Sequence, residues 1–326
     1  MNIQKQYFIG IDGGGTKTRC VIGDFEGNII GHHVSTSGNI NAIPLTELHV
    51  MLNDVIETIL LQTKISLLDV HQIFICLAGA DRDAEKEKIY QSFASSALFD
   101  KMTIQSDAHA ALAAGTWGHS GTLLIAGTGS IIFGLNDNHY FRVGGWGYLL
   151  GDEGSGFHLG KLAIRSILES YDAKLPMHPF QQNILTKYDV QHPPDIISKI
   201  YSHTAPVPII ASICREVLLA FEKEDDLAIE IVQLTQEELI RLIQLAQDQM
   251  NMEKPLVLHG GLFSNTAFYE VFCKQLVNQF PSLKFTKPVV SGEVGAYILA
   301  IHANRIIIDE VMKENIKNSW EYVKEG

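Results

Sequence analysis

The sequence predicts an α/β protein of two lobes, on the evidence of its length, its segment order and a repeated glycine-rich turn. At 326 residues the chain is longer than one hydrophobic core usually accommodates, so we expect two folding units. In the first third, three consecutive strand patterns precede alternating helix and strand patterns, which is typical of an α/β domain. A strand, glycine turn and strand near the N-terminus then recur at residues 123–135.

The first glycine turn lies in the stretch YFIGIDGGGTKTRCVI, residues 7–22. An apolar run ends at Asp12, and a second β-prone run follows the turn, so we predict a hairpin. Because glycines let backbone N–H groups approach an anion closely, the turn suits a phosphate group, although an ordinary hairpin turn would look similar. Asp12 is a candidate ligand of Mg²⁺, which proteins usually hold with one or two carboxylates plus phosphates. The candidate phosphate-binding residues of this turn are Gly13, Gly14, Gly15, Thr16 and Lys17.

The second glycine turn lies in LLIAGTGSIIFGL, residues 123–135, and has the same pattern of apolar strand, turn and apolar strand. A repeated hairpin favours phosphate binding over an ordinary turn, and it predicts two lobes of related topology that hold one nucleotide from both sides. The candidate residues of this turn are Gly127, Thr128, Gly129 and Ser130.

Hydrophobic periodicity predicts the remaining elements in order. Helices are expected at residues 44–63, 81–98, 157–171, 264–278, 292–303 and 306–323, and Ser106-Asp107 opens a further, alanine-rich helix. Further strands are expected at residues 28–34, 71–77, 102–104 and 255–258. Short helices and loops are expected at residues 175–210, and longer helices at residues 211–252.

Composition excludes several classes of partner and site. A formal net charge of −12, without a cluster of Lys or Arg, argues against nucleic acid. No apolar run reaches membrane-spanning length and no signal peptide pattern opens the chain, so we expect a cytoplasmic protein. The four cysteines are far apart and form no CxxC pair, which argues against a disulfide framework, a zinc site or an iron–sulfur site.

Six motifs in order resemble the N-acetylglucosamine kinase branch of the BadF/BadG/BcrA/BcrD ATPase family, in the superfamily of sugar kinases and actin-like ATPases. They are IDGGGTKT, LAGA, SDAHAA, AGTGS, GGWGYLLGDEGSG and HGG, between about residue 8 and residue 300. The resemblance implies a two-lobed actin-like ATPase (ribonuclease H-like) fold, each lobe a mixed sheet with flanking helices, and a cleft between the lobes. It implies an N-terminal lobe at residues 1–117, a C-terminal lobe at residues 118–303, and a helix at about 304–326 that packs back on the first lobe.

The resemblance also implies roles for individual residues. Both glycine turns match phosphate loops for ATP, Gly260 and Gly261 match a turn that meets the adenosine, and Ala211 matches a residue near the base. Asp107, in SDAHAA, matches the catalytic aspartate and contacts the sugar in the family. The other positions that match sugar-binding residues are Asn39, Gly145, Trp146, Gly147 and Asp152.

The expected reaction is phosphorylation of an amino sugar by Mg·ATP, N-acetylglucosamine to its 6-phosphate, with Asp107 accepting the hydroxyl proton. Asp107 could instead be a simple helix N-cap. In vertebrate members of the family an aromatic residue comes soon after the asparagine that matches Asn39, whereas Ile40 and Ala42 occupy this stretch here. Because this difference concerns recognition of the sugar's substituents, N-acetylmuramic acid and glucosamine are alternative substrates. An ATPase activator of a partner enzyme is a further alternative, which the scattered cysteines argue against. We also expect a two-fold homodimer.

Overall fold

The chain forms two compact units in a computed structural model that describes residues 6–40, 42–137 and 139–324. Unit 1 comprises the residues up to His119 together with the segment from Pro288 onward, and unit 2 comprises Ser120–Lys287. Each unit contains one mixed sheet with helices packed on it, so the α/β fold class predicted from the sequence is confirmed. Within the described ranges, no helix combines the length and the apolar character needed to cross a bilayer.

The sheet of unit 1 is built on the first hairpin and has the strand order β3-β2-β1-β4-β5. β1 pairs antiparallel with β2 and parallel with β4, while β2 and β3 are antiparallel and β4 and β5 are parallel. The strands of unit 1 are β1 (Tyr7–Gly13), β2 (Thr18–Asp24), β3 (Ile29–Ser35), β4 (Val70–Leu77) and β5 (Met102–Ser106).

The sheet of unit 2 repeats this arrangement, with the strand order β8-β7-β6-β9-β10. β6 pairs antiparallel with β7 and parallel with β9, so β6 takes the central place that β1 has in unit 1. The strands of unit 2 are β6 (Gly121–Ala126), β7 (Ser130–Asn136), β8 (His139–Gly144), β9 (Leu256–His259) and β10 (Phe285–Thr286). The prediction of two lobes with related topology is therefore confirmed.

The helices cover the faces of these sheets. Those of unit 1 are α1 (Leu45–Thr63), α2 (Asp83–Ser92), α3 (Asp107–Thr116), α12 (Gly292–Ala303) and α13 (Glu310–Val323). Those of unit 2 are α4 (Gly156–Asp172), α5 (Pro179–Lys187), α6 (Ile196–Tyr201), α7 (Pro206–Ser212), α8 (Cys214–Phe221), α9 (Asp226–Ala246), α10 (Gly261–Ser264) and α11 (Thr266–Gln279).

The core of unit 1 lies on both faces of its sheet. On one face, Phe8 and Val21 pack with α12 and α13, whose buried residues include Tyr297 and Trp320. A Cβ added to Gly10 would collide with the backbone of Tyr297, so α12 lies directly on the backbone of β1. The other face packs against α1. The close packing of α12 on β1 places the carboxyl end of β1 beside the start of α12.

The core of unit 2 is a separate cluster formed by its sheet and its helices. Buried residues of α4, α8 and α9 pack against Leu124 of β6 and Ile132 of β7. The helix α9 has a buried apolar stripe along its 21 residues, in agreement with the helical spacing of the sequence.

Two predicted boundaries differ from the structure. The helix expected from Asp81 begins at Asp83, where Arg82 occupies the N-cap position, and it ends at Ser92 rather than near residue 98. The expected second lobe, residues 118–303, included α12, whereas the structure packs α12 in unit 1. The reason is glycine at the contact points: added Cβ atoms at Gly10 and Gly295 would collide with the backbone of Tyr297 and of Ala110.

Candidate functional site

The first glycine turn closes the hairpin between β1 and β2. The N–H of Gly14 donates to the carbonyl of Lys17 at 3.0 Å, which leaves Gly15, Thr16 and Lys17 exposed at the tip. A Cβ added to Gly15 would meet nothing within 4 Å, so the tip has open space around its backbone. Such a turn can accept an anion on its N–H groups.

Asn39 lies in a loop that hydrogen bonds to this turn. The N–H of Gly38 and the hydroxyl of Ser37 both donate to the carbonyl of Gly14, at 3.2 and 3.3 Å. The N–H of Asn39 in turn donates to the Ser37 hydroxyl at 3.3 Å. Asn39, the predicted sugar-binding asparagine, therefore lies next to the first glycine turn. Ser37 links the two, and the sequence analysis did not identify Ser37.

Asp107 is the first residue of α3 and directly follows β5. The N-cap position belongs to Ser106, which makes no side-chain capping bond. Burial raises the pKa of the Asp107 carboxyl, and the Asp81 carboxylate adds to that rise, while the backbone N–H groups of Ala108 and of Asp107 itself act in the opposite direction. The carboxylate is therefore held in a poorly solvated position at the end of a parallel strand.

Asp12 has the most perturbed carboxyl of the predicted site residues. Burial, and to a smaller extent the Glu293 and Asp107 carboxylates, raise its pKa to about 7 against the lowering effect of Arg19. Glu293, in the first turn of α12, is 2% exposed, and its Oε1 lies 3.7 Å from His32 Nε2. Its Oε2 has no hydrogen-bond partner in the part of unit 1 that the structure describes. A divalent cation would stabilise the ionised Asp12 in this acidic surrounding, so the donor chemistry fits magnesium.

The described residues contain no group of three or more His, Cys, Asp or Glu side chains arranged to hold a metal ion. Mg²⁺ usually keeps several water molecules and binds through one or two carboxylates plus phosphates. Asp12 is the residue that would hold it here.

The second glycine turn, in unit 2, forms hydrogen bonds with Glu153, Gly156 and Phe157, which follow the predicted sugar-binding residue Asp152. The hydroxyl of Ser130 donates to the carbonyl of Glu153 at 2.6 Å. The N–H of Gly156 donates to the carbonyl of Gly127 at 2.7 Å, and the N–H of Phe157 donates to that of Thr128 at 3.2 Å. These three hydrogen bonds join the turn to residues outside it.

Asp152 contacts the second glycine turn directly. Its Oδ1 accepts a hydrogen bond from the backbone N–H of Ser130 at 3.3 Å, and a Cβ added to Gly129 would lie 2.9 Å from its Oδ2. Burial raises the pKa of the Asp152 carboxyl, the Ser130 N–H lowers it, and the Glu153 carboxylate raises it. The phosphate turn and the predicted sugar residue therefore lie side by side.

The glycine-rich segment, residues 142–160, lines a cavity of about 210 Å³ in unit 2. Gly145, Trp146 and Asp152 line it, together with Ser130 of the second turn. Gly147, with a φ of +84°, has open space around it and does not line the cavity. The cavity thus gathers three of the predicted sugar-binding residues and one predicted phosphate-binding residue.

The predicted adenosine turn follows β9. Gly260 has a φ of +108°, and an added Cβ would lie 2.5 Å from the carbonyl oxygen of Ala126, at the end of β6. Ala211 also lies near the second turn, since a Cβ built on Gly156 would lie 3.0 Å from the Gly127 carbonyl oxygen and 3.7 Å from that of Ala211. Gly127 therefore lies close to Gly260 and to Ala211, the two positions of unit 2 that are predicted to contact the nucleoside.

Sequence reasoning missed Arg142 and Glu293. Arg142 hydrogen bonds to Gly144 and Gly145 and stacks against Trp146, but in the sequence it only opens a glycine-dense stretch that indicates a loop. Glu293 follows a glycine in a predicted helix, where an acidic residue is ordinary. Only its burial beside β1 identifies it.

Comparisons with known proteins agree on one family. The sequence profile described as the BadF/BadG/BcrA/BcrD ATPase family matches residues 9–300. The N-acetylmuramic acid/N-acetylglucosamine kinase of Clostridium acetobutylicum is 32% identical over 300 residues, 90% of this chain and 98% of that protein. The N-acetyl-D-glucosamine kinase of Dictyostelium discoideum is 30% identical over 322 residues, 93% of this chain and 100% of that protein. A Chromobacterium violaceum structure, of a protein proposed to be an N-acetylglucosamine kinase, covers 91% of this chain and 99% of its own, with a TM-score of 0.74 at 22% identity, and supports the fold.

Proposed function

The chain belongs to the BadF/BadG/BcrA/BcrD ATPase family, and from that membership we propose that it transfers the terminal phosphoryl group of ATP to the 6-hydroxyl of N-acetylglucosamine. Relatives over nearly the full length are kinases of amino sugars, so the chain is an ATP-dependent sugar kinase with an amino sugar as acceptor. The specific sugar, the base and the metal are the parts that we propose here.

The observation that carries the proposal is the buried carboxylate of Asp107 at the junction of β5 and α3. A sugar hydroxyl must lose its proton as it attacks the phosphorus, and a positioned carboxylate can accept that proton. Burial raises the pKa of Asp107, so the ionised group is a better proton acceptor than a carboxylate in water. In this proposal Asp107 binds the acceptor hydroxyl and takes its proton.

The phosphates of ATP would bind to the two glycine turns. Thr16 and Lys17 offer a hydroxyl and an ammonium at the exposed tip of the first turn, and Thr128 and Gly129 offer backbone N–H groups in the second, where Gly127 and Ser130 shape the turn through their own hydrogen bonds. Asp12 would hold Mg²⁺, which neutralises phosphate charge when it is bound. Gly260, Gly261 and Ala211 would contact the nucleoside.

The sugar would bind to Asn39, Asp107 and the glycine-rich segment. Carboxylates accept two hydrogen bonds readily, which suits Asp152 for a pair of sugar hydroxyls. Trp146 offers an exposed aromatic face, and Gly145 and Gly147 offer backbone groups. The Clostridium relative is named for both N-acetylmuramic acid and N-acetylglucosamine, so N-acetylmuramic acid is the second candidate substrate.

The experiment that tests the proposed substrate is ADP release from Mg·ATP with a panel of sugars. The panel contains N-acetylglucosamine, N-acetylmuramic acid, glucosamine, N-acetylmannosamine and glucose, and a reaction without sugar is the control. We expect N-acetylglucosamine to give the highest kcat/KM and the sugar-free rate to be near background. ADP release at one rate in every reaction would contradict a kinase and indicate an ATPase.

The role of Asp107 has its own prediction. Asp107→Asn keeps the shape of the side chain but cannot accept the proton, so we expect kcat to fall by roughly 10²–10⁴-fold. The KM for ATP should change little, and a mock preparation from the same host without the enzyme measures the background of contaminating kinases. Wild-type turnover in the folded variant would remove Asp107 from the mechanism.

A further inference from the structure

Arg142, on β8, makes three contacts with the start of the glycine-rich segment. Its Nη2 donates hydrogen bonds to the carbonyl oxygens of Gly144, at 3.1 Å, and Gly145, at 2.6 Å. Its guanidinium carbon lies 4.7 Å from the centre of the Trp146 ring. One side chain therefore contacts three consecutive residues, two of which are predicted to bind sugar.

The segment needs such a restraint because its own backbone is unusually free. Gly144 and Gly145 have φ values of +74° and +68°, in the left-handed region that glycine adopts most readily. Trp146, Leu149 and Leu150 are 64%, 77% and 83% exposed, so little apolar burial holds residues 146–150 in place. A glycine-rich, exposed segment samples many conformations unless specific contacts select one.

The chemistry of arginine suits this task. A guanidinium is planar, always charged and able to donate several hydrogen bonds in one plane while an aromatic ring lies on its face. Bonds from a charged donor are stronger than neutral ones, and a cation over an indole adds a further attraction. Lysine would keep the charge but could not orient two carbonyls and the ring together.

We propose that Arg142 is the positioning residue of the sugar site, fixing the carbonyl of Gly145 and the indole of Trp146 in the arrangement that binds the sugar. The inference rests on the proposed function, and it adds a determinant of sugar affinity that does not itself touch the sugar. Substrate positioning is sensitive to small displacements, so loss of this contact should weaken sugar binding much more than ATP binding.

The test compares Arg142→Met, which removes the charge and both hydrogen bonds, with Arg142→Lys, which keeps the charge. Arg165→Met is the matched control, because Arg165 is an exposed arginine whose ion pair is with Glu169 in the same helix. In Arg142→Met we expect the KM for N-acetylglucosamine to rise about tenfold or more, with the KM for ATP unchanged. Arg142→Lys should recover part of the loss, and Arg165→Met should match the wild type.

A second measurement needs neither sugar nor activity. Acrylamide quenching of tryptophan fluorescence in the ligand-free protein, compared with the same protein carrying Trp146→Phe, isolates the signal of Trp146. We expect faster quenching of this indole in Arg142→Met, an intermediate rate in Arg142→Lys and no change in Arg165→Met, all at similar melting temperatures.

The outcomes separate the two proposals. An active wild type with an unchanged sugar KM and unchanged quenching in Arg142→Met overturns the role of Arg142 and leaves the proposed function intact. A wild type that phosphorylates no amino sugar overturns the proposed function, and the sugar-positioning role with it, whatever the quenching shows. If Arg142→Met does not fold, the same readouts on Arg142→Lys decide, since unchanged values there contradict a requirement for the guanidinium.

Discussion

At the scale of single residues, Asp12 shows how burial and neighbouring charge prepare a group for a ligand. Burial and the carboxylates of Glu293 and Asp107 raise its pKa to about 7, so near neutral pH its ionised form is held at a cost in free energy. A bound cation would remove that cost by favouring the ionised form. These acidic, poorly solvated surroundings are the basis on which we propose Asp12 as the metal ligand.

Asp12→Asn tests this interpretation. The amide has nearly the same shape but no charge, so we expect the variant to lose the extra stabilisation that Mg²⁺ gives in the presence of ADP. The measurement is the melting temperature with ADP alone and with Mg·ADP, where ligand binding to the folded state raises the transition. The shift from ADP alone should persist. A full magnesium-dependent shift in the variant would assign the metal to other residues.

His109 predicts a pH dependence of folding stability. Burial lowers its pKa to about 4, with Lys86 contributing, while the hydrogen bond that the imidazole donates to the Ser106 backbone acts in the opposite direction. Between pH 6.5 and 4 the unfolded chain binds a proton at this position and the folded chain does not, so its contribution to stability is lost as pH falls through that window. In His109→Gln, chemical denaturation from pH 7 to 4.5 should show a weaker loss of stability than in the wild type. Equal slopes would contradict the assignment.

At the scale of elements, the close packing of α12 on β1 depends on glycine at the contact, above all on Gly10. Both candidate groups Asp12 and Glu293 belong to these two elements, so their separation is set by how closely the elements pack. A Cβ at Gly10 would meet the backbone of Tyr297 and of Glu293, which cannot move aside as a flexible side chain could.

Gly10→Ala should therefore destabilise the protein by about 1–3 kcal/mol or more, the range for overpacked cores. Equilibrium denaturation in urea is the measurement. Gly15→Ala is the control, because an added Cβ there would meet nothing within 4 Å. If both variants unfold at the same urea concentration, α12 does not pack on β1 as closely as described.

Local sequence patterns predicted most helices and strands, but they did not predict which elements pack against each other. Both hairpins, the helix α1 and the strand before Asp107 follow from short-range periodicity and turn residues. Glu293 was missed because its burial depends on strands far away in the sequence. Arg142 was missed because its contacts, although with residues only two to four positions away, depend on a side-chain conformation that the sequence pattern does not encode. The sequence analysis placed α12 in the second lobe. That prediction was wrong because the position of α12 depends on glycine contacts between segments far apart in sequence.

At the scale of the whole molecule, one sheet topology occurs twice. In each unit the central strand pairs antiparallel with the next strand and parallel with the fourth, and a glycine turn follows the central strand. This repeat was predictable because both copies keep the same strand, turn and strand pattern. The helices between equivalent strands differ in number: among the described residues, α1 alone lies between β3 and β4, whereas six helices lie between β8 and β9. The sequence did not reveal which helices of the two units are equivalent.

The division into units predicts how fragments behave. Residues 120–287 contain a complete core and should fold alone, with a cooperative thermal transition seen by circular dichroism. Residues 1–119 should not fold alone, because Phe8 and Val21 pack against α12 and α13 in the intact chain. Joining residues 288–326 to them through a flexible linker should restore a cooperative transition. A stable, monomeric 1–119 fragment would contradict this account of the core.

The split composition of unit 1 has a consequence for synthesis on the ribosome. Strands β1 to β5 are translated early, but α12, which covers one face of their sheet, is translated roughly 170 residues after unit 2 begins. At roughly 5–20 residues per second, that face waits on the order of 10–30 s for its cover. During this interval unit 2 can finish folding while the first sheet is still incomplete. The nascent chain is then most exposed to misassociation, and a chaperone that shields the apolar face of β1 and β2 would improve the yield of native protein most.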